Sequence, residues 1–217
     1  MQFRALSILI LLFAGNLLTS QTNINGVVNA YTSVSAINTS TLTVASSAAF
    51  AVGNRVLLIQ MKGATIDITN TSNYGTISSL NNAGNFAFGI ISTIPNGTSI
   101  VLATTPTVAF TAGGTNRVQL VRVRSIVGNA NVNGNITATA WNGTQGGVIA
   151  IEVSGTLTIA AGFRIDGTGS GFRGGAVSGT SDGSAWCNWS DFRSPNITVN
   201  CYDGIYAQKG EGIAEAK

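Results

Sequence analysis

Eight carboxylates, two cysteines, eleven basic side chains and no histidine are the material from which this 217-residue chain could build a reactive site. The missing imidazole removes the Ser-His-Asp and Cys-His nucleophile systems and the common zinc sites together. Paired-carboxylate chemistry needs two acids facing each other across a glycosidic bond. The available acids are Asp67, Glu152, Asp166, Asp182, Asp191, Asp203, Glu211 and Glu215. A solenoid enzyme would line a long groove with such acids and with basic residues, and the three or four short rungs readable here give little groove. The chain is therefore read as non-catalytic, with no catalytic residue assigned.

Binding chemistry is more plausible. Asp166, Asp182 and Asp203 sit in loops beside glycines, with Asp191 in the same stretch, where hard oxygen ligands suit Ca²⁺. Their spacing fits neither the twelve-residue helical calcium loop nor the nonapeptide calcium repeat, and Asp-Gly is also an ordinary turn dipeptide. No cofactor is expected beyond this candidate Ca²⁺. The glycine run Gly167-Thr-Gly-Ser-Gly171 is not followed by Lys-Ser/Thr or by a helix pattern, so it is no phosphate cradle. Cys187 and Cys201 are an even pair in a chain with an export signal, and a disulfide is the default reading. Closing a loop of about 15 residues contributes roughly 3 kcal/mol in the chain-entropy model. Trp186, Trp189, Tyr202 and Tyr206 crowd around that staple and are the candidate ligand-binding residues, since such rings stack on sugar faces. Packing beneath the loop as a satellite core is the alternative for the same rings.

The elements that must carry these groups read as strands. Thr41–Val44, Arg55–Gln60, Phe86–Ile94, Ser99–Leu102 and Arg117–Arg124 are β-branched or alternating runs separated by Val52-Gly53-Asn54 and Pro95-Asn96-Gly97 turns. No stretch keeps an apolar period of 3.6 residues, so few helices are expected. Five short strands in about a hundred residues suggest a small barrel or sandwich. Beyond residue 125 the strands shorten: Val132–Ala138, Gly147–Val153, Gly155–Ile159 and Phe163–Ile165, punctuated by Gly and Asn. That spacing fits rungs of a parallel β-solenoid, which need neighbours to bury their apolar face. The expectation is an all-β chain: residues 21–125 form a barrel or sandwich and residues 126–217 begin a right-handed parallel β-helix. A β-sandwich throughout is the alternative.

Compartment and charge narrow the partners. Arg4 precedes an apolar run from Ala5 to Leu18 and then small polar residues, the layout of a secretory signal peptide over residues 1–20. The run is shorter than the roughly 20 residues of a membrane-spanning helix, and no later stretch comes closer. Charged residues make up only 9% of the chain. Arg117, Arg122 and Arg124 cluster, but Arg122 and Arg124 alternate with Val121 and Val123 as on the outer face of one strand. Three arginines make a poor stripe for displacing counterions, so nucleic acid is not an expected partner. Seven Asn-x-Ser/Thr sequons, beginning at Asn38, are a by-product of an Asn- and Thr-rich chain.

Several segments in order carry a resemblance: Phe50-Ala-Val-Gly-Asn-Arg-Val-Leu-Leu-Ile-Gln-Met-Lys-Gly-Ala64, Val118–Val123, Thr137–Gly147 with its Ala-Trp-Asn-Gly core, Gly171-Phe-Arg-Gly-Gly175 and Lys209-Gly-Glu-Gly-Ile213. From about Ala30 to Ile213 the chain resembles the N-terminal region of large secreted Bacteroidota proteins that end in a type IX secretion or gliding-motility-associated C-terminal domain. The resemblance implies export by the secretion machinery, attachment to or release from the cell surface, and an adhesin-like role without established catalytic residues. The chain lacks that sorting domain, from which the expectation follows that Lys217 is not the natural end. The function expected is a secreted or cell-surface adhesin-like module with a structural or adhesive role, its partners surface glycans or other surface proteins. A carbohydrate-binding module, or a fragment of a β-helix enzyme that cleaves glycans, is the alternative.

Overall fold

A computed structural model of the chain describes residues 21–69, 71–174 and 210–214. Its elements are all strands: β1 (Thr22–Val27), β2 (Ala30–Asn38), β3 (Thr41–Val44), β4 (Arg55–Lys62), β5 (Thr65–Ile66), β6 (Ile77–Ser79), β7 (Phe86–Asn96), β8 (Ser99–Leu102), β9 (Arg117–Arg122), β10 (Arg124–Ile126), β11 (Ala130–Thr137), β12 (Ile151–Val153), β13 (Leu157–Ile159) and β14 (Ile165–Asp166).

Six antiparallel strands close into a barrel in the order β2-β3-β8-β7-β4-β9. Closure leaves no unpaired edge, which suits short strands with few charges to guard them. Inward residues at alternate positions fill it: Val34, Leu42, Val44, Val56, Leu58, Ile91, Ile100, Leu102, Val118 and Leu120, with Phe50 at one end. β5 and β6 form a separate two-stranded ribbon.

The remaining strands run parallel in two small sheets. β1, β11, and then β13 with β14 stack in one; β10 and β12 stack in the other. Both sheets place partners 27 positions apart, Ala130 against Leu157 and Arg124 against Ile151. The corner between them keeps the same register, since the Gly155 amide donates to the Gly128 carbonyl and the Thr156 amide to Asn129 Oδ1. One core serves both sheets: Ile24, Val132 and Ile136 from one side meet Ile126, Ile151 and Val153 from the other. Two parallel sheets coiled at one period around a shared core are the first coils of a parallel β-helix, so the sandwich alternative is set aside.

The structure redraws several sequence boundaries. The run Arg117–Arg124 is two strands: β9 completes the barrel, and after Val123 the chain turns into β10 of the parallel stack. Val121 and Val123 are buried outside the barrel beneath Ala150, and the Arg122 guanidinium donates to the Ala49 carbonyl at 2.7 Å. The run is therefore not the solvent-facing strand its alternation suggested. Pro95 does not end β7; the strand continues through Asn96 because the β7–β8 register shifts between Thr93 and Asn96, and a bulge tolerates proline. β1 and β2 fall over Thr22–Asn38, where no strand is named from the sequence. β1 pairs parallel with β11, with a register shift between Ile24 and Gly26, so the barrel is spliced between the first and second coils of the parallel stack.

The splice is held by polar side chains that act as backbone. Asn29, buried between β1 and β2, donates through Nδ2 to the carbonyls of Arg122 (2.9 Å) and Ala150 (2.6 Å) and accepts the Ala150 amide (3.0 Å). Gln119, fully buried on the outside of β9, exchanges two hydrogen bonds with Gly146, at 3.0 and 2.7 Å. The Tyr31 hydroxyl donates to the Val148 carbonyl at 2.6 Å. Gly146 has φ +107°, and a Cβ there would lie 2.6 Å from the Ala140 carbonyl oxygen, so the position demands glycine.

Candidate binding surface

The sequence-derived site divides between described and undescribed residues. Cys187 and Cys201, the rings of Trp186, Trp189, Tyr202 and Tyr206, and the carboxylates Asp182 and Asp203 lie outside the described residues. Asp166 is described, at the end of β14. Hydrogen bonds from the Thr168 side chain and amide, and then from Arg164, hold its pKa down to about 2. Its Oδ1 accepts the Thr168 amide and its Oδ2 the Arg164 Nε, both at 2.9 Å. Both oxygens thus serve a local turn. Among the described residues no three His, Cys, Asp or Glu side chains gather to hold a metal ion.

A different surface emerges from β7. In that strand the inward positions carry small residues, Ala87 and Gly89, and Leu102 fills the space facing Gly89. The outward positions carry Phe86 (57% exposed), Phe88 (51%) and Ile90 (46%). Phe86 and Phe88 meet edge to face, centroids 6.3 Å apart. Opposite them on β4 stand Ile59, Leu57 and Arg55, and opposite Leu57 on β9 stands Val121. The outer face of β7-β4-β9 is therefore a continuous apolar band. The segment Val148–Ala150 covers its β4–β9 part and leaves the β7 part open. Solitary exposed apolar residues are ordinary, whereas a contiguous stripe beside a cleft marks an interaction surface.

A groove of about 490 Å³ runs along that boundary, lined by Leu57, Phe88, Val123 and Ile149–Val153, with Arg55 at its mouth. The Arg55 guanidinium carbon lies 5.2 Å above the Phe88 ring, in cation–π range. Arg55 Nε is 3.4 Å from Glu152 Oε2, an ion pair too long to count as a hydrogen bond, and Ser125 Oγ donates to the same carboxylate oxygen at 3.2 Å. Beyond Arg55 opens a second depression of about 330 Å³, lined by Asn54, Arg55, Arg122, Arg124 and Ser125. Arg55 is thus shared by an apolar groove and a cationic one.

Sequence reasoning missed this surface. The alternation Phe-Ala-Phe-Gly-Ile was visible, but pairing alone decides that the large residues face out. A second cluster was equally hidden: Glu211 accepts two hydrogen bonds from the Arg173 side chain (2.8 and 2.7 Å) and lies 3.7 Å from the buried Lys62 ammonium. The Arg173 guanidinium first, and Lys62 last, draw the Glu211 pKa down to about 2, against some opposing burial. The amides of Gly63 and Ala64 donate to the Ile213 carbonyl, so residues 210–214 are clasped to the end of β4. The segments around Arg173 and Glu211, separate in sequence, are joined there.

No protein-family model matches the chain, and no curated protein matches it. Among solved structures, the tailspike protein gp49 from Pseudomonas phage LKA1 aligns with 65% of this chain at 12% identity and a TM-score of 0.29. The chain spans 23% of that protein's length.

Proposed function

We propose that the chain is a secreted or cell-surface adhesin-like module, non-catalytic, in which the parallel coils act as a stalk and the barrel presents the binding face. The observation that supports this reading is the half-covered apolar band: the stack seals Leu57, Val121 and Val123 but leaves Phe86, Phe88 and Ile90 open beside a groove. Residues that served only packing would be covered with the rest. Flat aromatic rings flanked by Arg55, Glu152 and Ser125 suit a glycan, which offers an apolar ring face and hydroxyl edges.

The test is a glycan array and a cell-surface binding assay with the purified full chain and a Phe86→Ser, Phe88→Ser variant. Both rings are half exposed, so the variant should keep the wild-type circular dichroism while losing saturable binding. Binding that survives the double substitution would place the adhesive site elsewhere. Release of new reducing ends from a bound polysaccharide would overturn the non-catalytic part.

A further inference from the structure

Resting on the adhesive reading above, we infer that the depression between Arg55, Arg122 and Arg124 selects acidic sugars, so that the ligand is a uronate-bearing polysaccharide. Three arginines line a space of about 330 Å³, within the range of small-ligand sites. Glu152 is the one carboxylate beside them among the described residues, and it is already engaged by Ser125 and Arg55. The Arg124 guanidinium is exposed and has no partner among the described residues. Arg122 spends Nη1 on the Ala49 carbonyl and keeps its other donors. Arg55, which lines both the depression and the groove, pairs through Nε with Glu152 at 3.4 Å.

A chain this poor in charge places three of its few cations around one hollow, and guanidinium forks bind carboxylates in two-point geometry. Two neighbouring features distinguish a sugar acid from a bare anion. Phe88 adjoins through Arg55, which lies over its ring, and its half-exposed side chain leaves apolar surface for a pyranose. Asn54, whose Oδ1 accepts the Ala51 amide, keeps its NH₂ as a donor for a hydroxyl. A uronate unit carries carboxylate, hydroxyls and an apolar face together; a phosphate or a simple carboxylate carries only the first. A polyphosphate strand would instead need a longer row of cations than three.

The experiment titrates the full chain with oligogalacturonate, a neutral oligoglucan, citrate, inorganic phosphate and a short single-stranded DNA, in low and in raised salt. Oligogalacturonate should bind best and weaken with salt. Arg124→Glu, on an exposed side chain that holds nothing in place, should weaken it at least about tenfold, which is about 1.4 kcal/mol. Arg124→Lys should recover only part, because a point charge replaces a fork. Citrate or phosphate binding as tightly as the oligouronate would reduce the site to a plain anion hollow and overturn the inference, as would equal binding of DNA. Neutral oligoglucan bound with oligogalacturonate ignored would overturn the inference alone and leave the adhesive reading standing. Silence toward both oligosaccharides would overturn the inference, whereas the adhesive reading falls only if cell-surface binding is absent too.

Discussion

Replacing Asn29 by alanine tests whether barrel and parallel stack are one cooperative unit. The side chain sits where the chain leaves β1 for the barrel and touches Arg122 and Ala150, where the chain has returned. Its loss does not orphan every partner. The Ala150 carbonyl still accepts the Arg124 amide at 3.0 Å, but the Ala150 amide has Asn29 Oδ1 as its acceptor. One buried N–H left unpaired costs about 1–3 kcal/mol, and two weakened carbonyl interactions add about 0.5–1 kcal/mol each. The expected loss is about 2–5 kcal/mol, a large share of the stability of an ordinary domain. Urea denaturation followed by circular dichroism reads it, and hydrogen exchange at the Ala150 amide localises it. Asn29→Asp sharpens the test, because it keeps the acceptor but turns a carboxylate oxygen toward two carbonyls. Burial, with one oxygen set against two carbonyls, raises that carboxyl's pKa, so this variant should recover stability relative to wild type as pH falls from 7 toward 4. An Asn29→Ala protein within about 0.5 kcal/mol of wild type, with the Ala150 amide still protected, would refute the reasoning.

Other perturbations reach different parts of the molecule. Leu120→Ala empties the centre of the barrel, where the side chain is fully buried, and should cost about 2–5 kcal/mol in denaturant melts. Gly146→Ala forces a Cβ into the Thr139 and Ala140 carbonyls at a positive φ; a loss of about 2–3 kcal/mol is expected, and an unchanged midpoint would mean the loop readjusts freely. Glu211 has its folded pKa lowered to about 2 from an ordinary 4.5, so its contribution is complete above pH 4.5 and is lost as pH falls toward 2. Wild type should therefore lose more stability than Glu211→Gln across that window, by about 1–2 kcal/mol after solvent screening, with the Gly63 and Ala64 amides exchanging faster in the variant at neutral pH. Equal slopes in the two proteins would show that the Arg173 clasp carries no folding energy.

The parts of the fold legible in the sequence are those whose signal is local. Thr41–Val44 and Ser99–Leu102 match their strands to the residue, because each is a short β-branched run between turns. β1 and β2 were illegible because Thr22–Asn38 is rich in Asn and Ser, and its apolar residues Ile24 and Val34 serve two different cores. The asparagines have a reason that only pairing reveals: Asn131 donates to Asn23 at 3.2 Å and Asn25 to Asn133 at 3.1 Å, a ladder between stacked rungs. The division of Arg117–Ile126 between two sheets leaves no compositional mark, since β9 is buried on both faces, against the barrel interior on one and Gly146–Ala150 on the other. Of the candidate site, Asp166 was found by residue type but its oxygens are committed to a turn. The open Phe86–Phe88 face required knowing which neighbours cover β4 and which leave β7 bare.

The 27-position register also explains why no repeat could be read. The first coil is interrupted after one strand, so Thr22 meets Ala130 across the whole barrel, and the later coil stretches by two residues where Ile136 meets Ile165. A repeat seen once intact and once split by about a hundred residues has no sequence periodicity to detect. Its physical logic is nevertheless simple. Ala30 pairs with Arg122 and Asn29 bonds the Arg122 carbonyl, so the point where the chain enters the barrel and the point where it leaves are neighbours. A domain whose two ends meet can be inserted there without distorting either rung. The insertion still has to be fixed in orientation, and nonpolar contact alone slides. Asn29, Gln119 and Tyr31 supply that direction, each bonding main-chain groups of residues 146–150 across the seam. The same seam decides which part of the apolar band is covered, so the geometry that locks barrel to stalk also leaves the β7 face open.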